Sequence, residues 1–205
     1  MSDVAILSAA SALPRKRVAI AELRAALALD VAAVREKLGL VEKCVADGDD
    51  EHPADLCAVA ARRALAAVDA DAGDVGLIVS CGVSRDYLGS FSIALEVAAS
   101  IGAANALAYD LALGCAAPLV AVEQARARAR APDGRGPLTL VVSAERWSHT
   151  LSKDVPFPLA WAAHADGGGA LLLGPGPSST LHRPAFAMNS AFNKFLVVPA
   201  GGTRE

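Results

Sequence analysis

The sequence predicts an α/β fold in which a parallel or mixed sheet is covered by helices, and three observations predict it. Three short, continuous apolar runs, GLIVSCGV (76–83), NALAYDLAL (105–113) and LTLVVSAE (138–145), have the pattern of strands buried on both faces. They alternate with segments whose apolar residues recur at three and four, which is helical spacing. The composition fits such a fold: 205 residues with 54% hydrophobic content supply one core, and 4% aromatics beside abundant alanine imply a dense core of Ala, Val and Leu.

In chain order, DVAILS (3–8) suits a first strand and LPRKR a turn. IAELRAALAL and VAAVREKLGL form a helical region, and DGDDEHP is an exposed acidic loop. Asp55 is placed to cap a long helix through LCAVAARRALAAV. After the strand at 76–83, FSIALEVAASIG reads as a helix closed by Gly102, followed by the strand at 105–113. A helix starting near Cys115 runs to the loop APDGRGP, then comes the strand at 138–145. From Asp166 the pattern changes to a glycine-rich strand, DGGGALLLGPG, with further extended stretches at 180–190 and 195–198 that look antiparallel.

Several function classes are excluded. A net charge of -3, from 19 Lys+Arg against 22 Asp+Glu, gives no electrostatic footprint for nucleic acid. The N-terminus carries Asp3 before its apolar run and positive charge after it, the reverse of a secretory signal. No apolar run reaches the roughly 18 to 20 residues of a membrane span, so a cytoplasmic protein is expected. Cys44, Cys57, Cys81 and Cys115 lie on a loop edge, a helix, a strand and a helix start, without the spacing of a metal site or a disulfide framework. Core packing is expected for the first three.

Cys115 is different. In DLALGCAAPLVAVEQA (110–125) it falls where a strand ends and a helix begins, so free backbone N–H groups and the helix dipole favour the thiolate over a thiol of pKa about 8.5. Gly114 permits a sharp turn, Ala116 and Ala117 keep the rim small, and Pro118 is tolerated in a first helical turn. The spacing suits a nucleophile, and it also suits a small buried hydrophobe.

The stretch DLALGCAAPLVAVEQA resembles the nucleophile segment of the thiolase superfamily, in particular the β-ketoacyl-acyl-carrier-protein synthase III group. VAILSAASALPRKRVAIAEL, GDVGLIVSCGVS, LTLVVSAERWS and HADGGGALLL resemble other segments of that family, in the right order across essentially the whole chain. The resemblance implies a thiolase-like half with a mixed, mostly parallel five-stranded sheet covered by helices, which pairs with a second, similar half. It implies an acyltransferase in which Cys115 takes an acyl group from a coenzyme A or acyl-carrier-protein thioester. The acyl group then passes to a second substrate, by decarboxylative Claisen condensation or by transfer to oxygen or nitrogen, in fatty acid, polyketide or specialised metabolism. No bound cofactor or metal is implied. The alternative is a noncatalytic thiolase-like subunit that shapes or stabilises an active homologue.

The sequence also departs from the family. The histidine and asparagine of the second half follow a loop resembling LVVPAGGTRE, and His52, His149, His164 and His182 match neither. Residues 1–205 are therefore expected to be an N-terminal half that works with a C-terminal half on a separate or cleaved chain, in a homodimer or heterodimer of such subunits. Alone, it would expose a large apolar face. His164 stands where the family has an aromatic or aliphatic residue facing the acyl pocket, so it either binds there near Cys115 or simply bonds a backbone carbonyl. Tyr87 and Leu88 lie in the loop that in this family reaches the partner's acyl tunnel, as pocket residues or as interface packing. Near Ala33, where the family often has a tryptophan at the coenzyme A entrance, there is no aromatic. Arg35 and Lys37 either meet phosphate or form a solvated face, and a carrier-protein donor stays open. Arg126, Arg128 and Arg130, spaced by two, do not form one helical stripe and read as solvated surface. DGGGA lacks a following Lys-Ser/Thr and reads as close backbone packing rather than a phosphate loop.

Overall fold

In the computed structural model, which describes residues 4–23, 30–131, 133–151, 162–176, 181–192, 194 and 202–204, the expected α/β architecture is present. Five strands, β1 (Val4–Ala12), β4 (Val75–Cys81), β5 (Leu107–Leu111), β6 (Leu138–Arg146) and β7 (Asp166–Pro175), form one sheet in the order β1-β7-β6-β4-β5. β4 pairs in parallel with both β5 and β6. β7 runs against β6 and β1, so four strands share one direction and β7 is reversed between two of them. The sheet is mixed and mostly parallel.

Its two faces are covered by different helices. α2 (Pro53–Ala66) and α3 (Ile93–Ile101) bury Leu56, Ala60, Ala64, Val97 and neighbours against Ile78, Leu140, Val142 and Leu172. α4 (Ala117–Arg130) presents Ala117, Ala121, Val122 and Ala125 to Leu77, Val79, Val141 and Leu173 on the opposite face. Alternate residues of each strand thus serve alternate helical layers, which is why β4 and most of β6 read as unbroken apolar runs. The small residues allow close approach. A Cβ on Gly168 would lie 2.8 Å from Leu56 Cβ and 2.9 Å from its carbonyl carbon, so α2 rests directly on the β7 backbone.

Several local expectations are corrected. The segment read as a turn at LPRKR runs into β2 (Lys16–Ala19), which pairs with β3 (Glu42–Val45) in a separate two-stranded antiparallel sheet. Its strands, KRVA and EKCV, are short and mix charged with apolar residues, with Lys16, Arg17 and Glu42 exposed, so no apolar run announces them. Between them lie a 3₁₀ turn at Ile20–Leu23 and α1 (Val31–Leu38), capped by the Asp30 carboxylate on the Ala32 and Ala33 amides. The rest of IAELRAALAL is outside the described residues. Asp55 is not the cap of α2: His52 is, and Asp55 sits at the third helical position and accepts the His52 N–H at 3.1 Å. β5 is an edge strand, not one buried on both faces, and Leu107 is exposed. Residues 181–189 form no strand, and 195–198 lie outside the described residues.

The arginine repeat is corrected as well. Arg126 and Arg128 have side chains only 13% and 15% exposed. Arg126 donates to the Leu181 carbonyl and Arg128 to the Gly136 carbonyl and Asp133, so these side chains fasten loops to α4 rather than face solvent. Among the described residues, no helix is long and apolar enough to cross a membrane.

Candidate active site

β5 ends at Leu111, and three residues later the backbone turns at Gly114, whose φ is +52°. A Cβ there would meet nothing within 4 Å, so glycine is required by conformation alone. Gly114–Ala116 form a 3₁₀ turn that feeds α4, with Pro118 in its first turn where no intrahelical donor is needed. Cys115 lies in this turn, two residues before the α-helix that was expected to start near it, and it is exposed. Cys57 and Cys81 are buried. Burial pushes both thiols up, Cys81 to about 11. Cys44 is half-buried within β3, where a loop edge was expected.

The other sequence-selected residues gather at the same edge of the sheet. Cys115 follows the C-terminal end of β5, and Tyr87 and Leu88 follow that of β4. Because β7 is reversed, its N-terminal end and the preceding His164 also lie there. This carboxyl edge of the parallel strands is the usual ligand edge of open α/β sheets. His164 packs its ring edge-on against Trp147 at 5.1 Å, and its carbonyl accepts Lys43 Nζ at 2.9 Å. Tyr87 is exposed and packs edge-on against Phe91 at 5.2 Å, and Leu88 is exposed. Arg35 and Lys37 are exposed on α1.

Three carboxylates hold this edge together, Asp166 buried and Asp110 and Glu145 half-buried, and the sequence reading did not single them out. Asp110, one residue before the end of β5, accepts the Ile93 and Ala94 amides at 3.0 and 2.9 Å and so anchors the start of α3. Glu145 of β6 accepts the Val83 and Ser84 amides at 2.7 and 2.9 Å, fixing the loop that leads to Tyr87. Asp166 accepts the Ala46 and Ser148 amides at 2.7 and 2.8 Å and the Ser148 hydroxyl, joining β7 to the end of the small sheet. Lys43, nearly fully buried, has its pKa lowered to about 8 by desolvation, partly offset by Asp166.

A second cluster lies on the same edge. Thr203 Oγ1 is 2.9 Å from His52 Nδ1, and Arg146 Nη1 lies 2.9 and 3.1 Å from the two ring nitrogens. Arg204 is paired with the buried Asp86 at 2.9 Å and with Asp55 at 2.5 Å.

No model of a known protein family matches the chain. It is 36% identical over 163 residues to the β-ketoacyl-[acyl-carrier-protein] synthase III of Sphingopyxis alaskensis, covering 80% of this chain and 49% of that one. It is 30% identical over 173 residues to the synthase III of Rhizorhabdus wittichii, covering 84% and 52%. Among solved structures, it superposes on the 3-oxoacyl-(acyl carrier protein) synthase III of Pseudomonas aeruginosa PAO1 with a TM-score of 0.73 and 25% identity, covering 86% of this chain and 53% of that one. The chain has the thiolase-like fold of the synthase III group. It spans about half the length of the curated relatives it matches. Within this fold, Cys115 stands on the turn after β5, and the HADGGGALLL segment leads into and forms most of the reversed strand β7.

Proposed function

We propose that this chain is the nucleophile-bearing, N-terminal half of a synthase III-like condensing acyltransferase and that residues 1–205 act with a second, similar half. The Cys115 thiolate attacks the carbonyl carbon of an acyl thioester. The bond from that carbon to the donor sulfur breaks, and the donor leaves as its thiol after taking up a proton. A second substrate then attacks the acyl-enzyme, through carbon with loss of carbon dioxide or through oxygen or nitrogen, and frees Cys115. The backbone N–H of Cys115, in the 3₁₀ turn that leads into α4, is a donor for the developing oxyanion.

The observation that carries this reading is an exposed cysteine on a glycine-enabled turn at the ligand edge of a synthase III-like sheet. His164, Tyr87 and Leu88 are assigned to the acyl pocket because they share that edge. A cavity of about 710 Å³ on the α4 face, lined by Ser11, Pro118, Val141, Ser143 and Gly169, supports a second half packing there. The unpaired edge of β5 favours a dimer of such subunits. The donor is a coenzyme A or acyl-carrier-protein thioester, which is substrate rather than cofactor, and the relatives' name, β-ketoacyl-[acyl-carrier-protein] synthase III, supports an acyl-carrier-protein thioester among the substrates.

The test is intact mass after incubation with a panel of acyl-coenzyme A and acyl-carrier thioesters. Adducts on the wild type and none on Cys115→Ala are expected. No adduct with any donor, with the thiol accessible and a second half supplied, refutes catalysis and favours a noncatalytic subunit. For His164→Phe, an unchanged acylation rate and acyl-chain preference would remove His164 from the pocket.

A further inference from the structure

Arg146 ends β6 beside a cleft of about 530 Å³ whose walls are Asp49, His52, Tyr87, His149, Thr203 and Arg204. Arg204 commits its charge to Asp86 and Asp55. Arg146 does not: its Nη2 donates to the Ala46 carbonyl at 3.3 Å, its Nη1 straddles the His52 imidazole, and its Nε is buried without a hydrogen-bond partner. Among the described residues it has no carboxylate partner. Leaving a half-buried guanidinium on neutral acceptors is costly unless an anion completes it.

The field in the cleft has the sign such an anion needs. His52 is held below the ordinary imidazole pKa, first by burial and then by the charges of Arg146 and Arg204, which outweigh the opposing pull of Asp86 and Asp55. Asp49 is the one exposed carboxylate on the wall, and it opposes an anion there. The volume falls within the range of small-molecule pockets and exceeds what a lone oxyanion fills, and Tyr87 offers an aromatic wall for the remainder of a ligand.

We propose that this cleft binds a small molecule through a carboxylate or phosphate group seated on Arg146. Guanidinium forms paired, charge-assisted hydrogen bonds to either group, and the His149 imidazole at the exposed rim offers a further N–H donor. Cys115 is not among its walls, Tyr87 is shared with the proposed acyl pocket, and the argument from Arg146 stands whether or not the acyl-transfer reading holds.

The test uses the imidazole NMR signals of the four histidines while inorganic phosphate or acetate is added against chloride at fixed ionic strength. Saturable shifts of His52 and His149 are expected, with those of His164 and His182 unchanged. Arg146→Met should weaken binding by about tenfold, the loss of one charge-assisted contact. Asp49→Asn, an exposed change that spares the fold, should tighten it severalfold. Tighter phosphate binding would assign a phosphorylated ligand, and tighter acetate binding a carboxylic acid. Shifts that are linear in concentration, matched by chloride, or indifferent to both substitutions would overturn the proposal.

Discussion

Replacing Asp166 with alanine tests the claim that one buried carboxylate fastens the active-site edge. Asp166 is 3% exposed and serves three donors: the Ala46 amide, the Ser148 amide and the Ser148 hydroxyl. The hydroxyl can rotate to another acceptor, but the two amides cannot, and each donor left unsatisfied costs about 1–3 kcal/mol. The expected loss is therefore about 2–6 kcal/mol, a large share of the roughly 5–15 kcal/mol that holds a typical domain together. Urea unfolding followed by circular dichroism would read this as a lower midpoint at unchanged slope. Asp50→Ala, which removes an exposed partner of Arg15, serves as the control and should leave the midpoint in place. A loss below about 1 kcal/mol in Asp166→Ala would refute the reasoning, since water or a rearranged loop would then be satisfying both amides.

Three more outcomes are expected. Gly114→Ala should lose about 1–2 kcal/mol, because only the positive φ is strained and the added methyl meets open space, with Gly114→Asn losing less; equal losses for both in thermal melts would contradict this. Brief alkylation with iodoacetamide should label Cys115 first and leave Cys57 and Cys81 for the unfolded state, as peptide mass mapping would show. Burial holds Lys43 near 8 in the folded chain against its ordinary 10.5, so between those values the unfolded state binds more protons and stability rises with pH by about 3 kcal/mol; Lys43→Met should flatten that rise in unfolding titrations.

Much of the fold was legible because its signals are local. β4 and β6 carry apolar residues for two helical layers at once, and Gly102, with φ +81°, closes α3 as a left-handed cap. β5 misled because an edge strand can be as apolar as a buried one, and only its neighbours distinguish them. β2 and β3 were invisible because their pairing is held by backbone and by exchanged charges such as Lys16 with Asp47. At the site, the Gly114-Cys115 turn could be read from residue types alone. Asp110, Glu145, Asp166 and Arg146 could not, since each works on backbone or side chains between 16 and 120 positions away.

The reversed strand also governs the order in which this chain can assemble. β1 is the first strand to be synthesised, yet its sheet partner is β7, with Val4 opposite Pro175 and Ala12 opposite Gly168. β4 and β6 can pair as soon as residue 146 is available, whereas β1 must wait for the last strand of the sheet and then close the most distant contacts in it. During that interval an apolar strand with free edges is unpaired, which makes early termination before Asp166 a direct route to aggregation. β7 is thus the strand that completes the sheet, and it commits the chain's beginning to its fold only once the chain's later part exists.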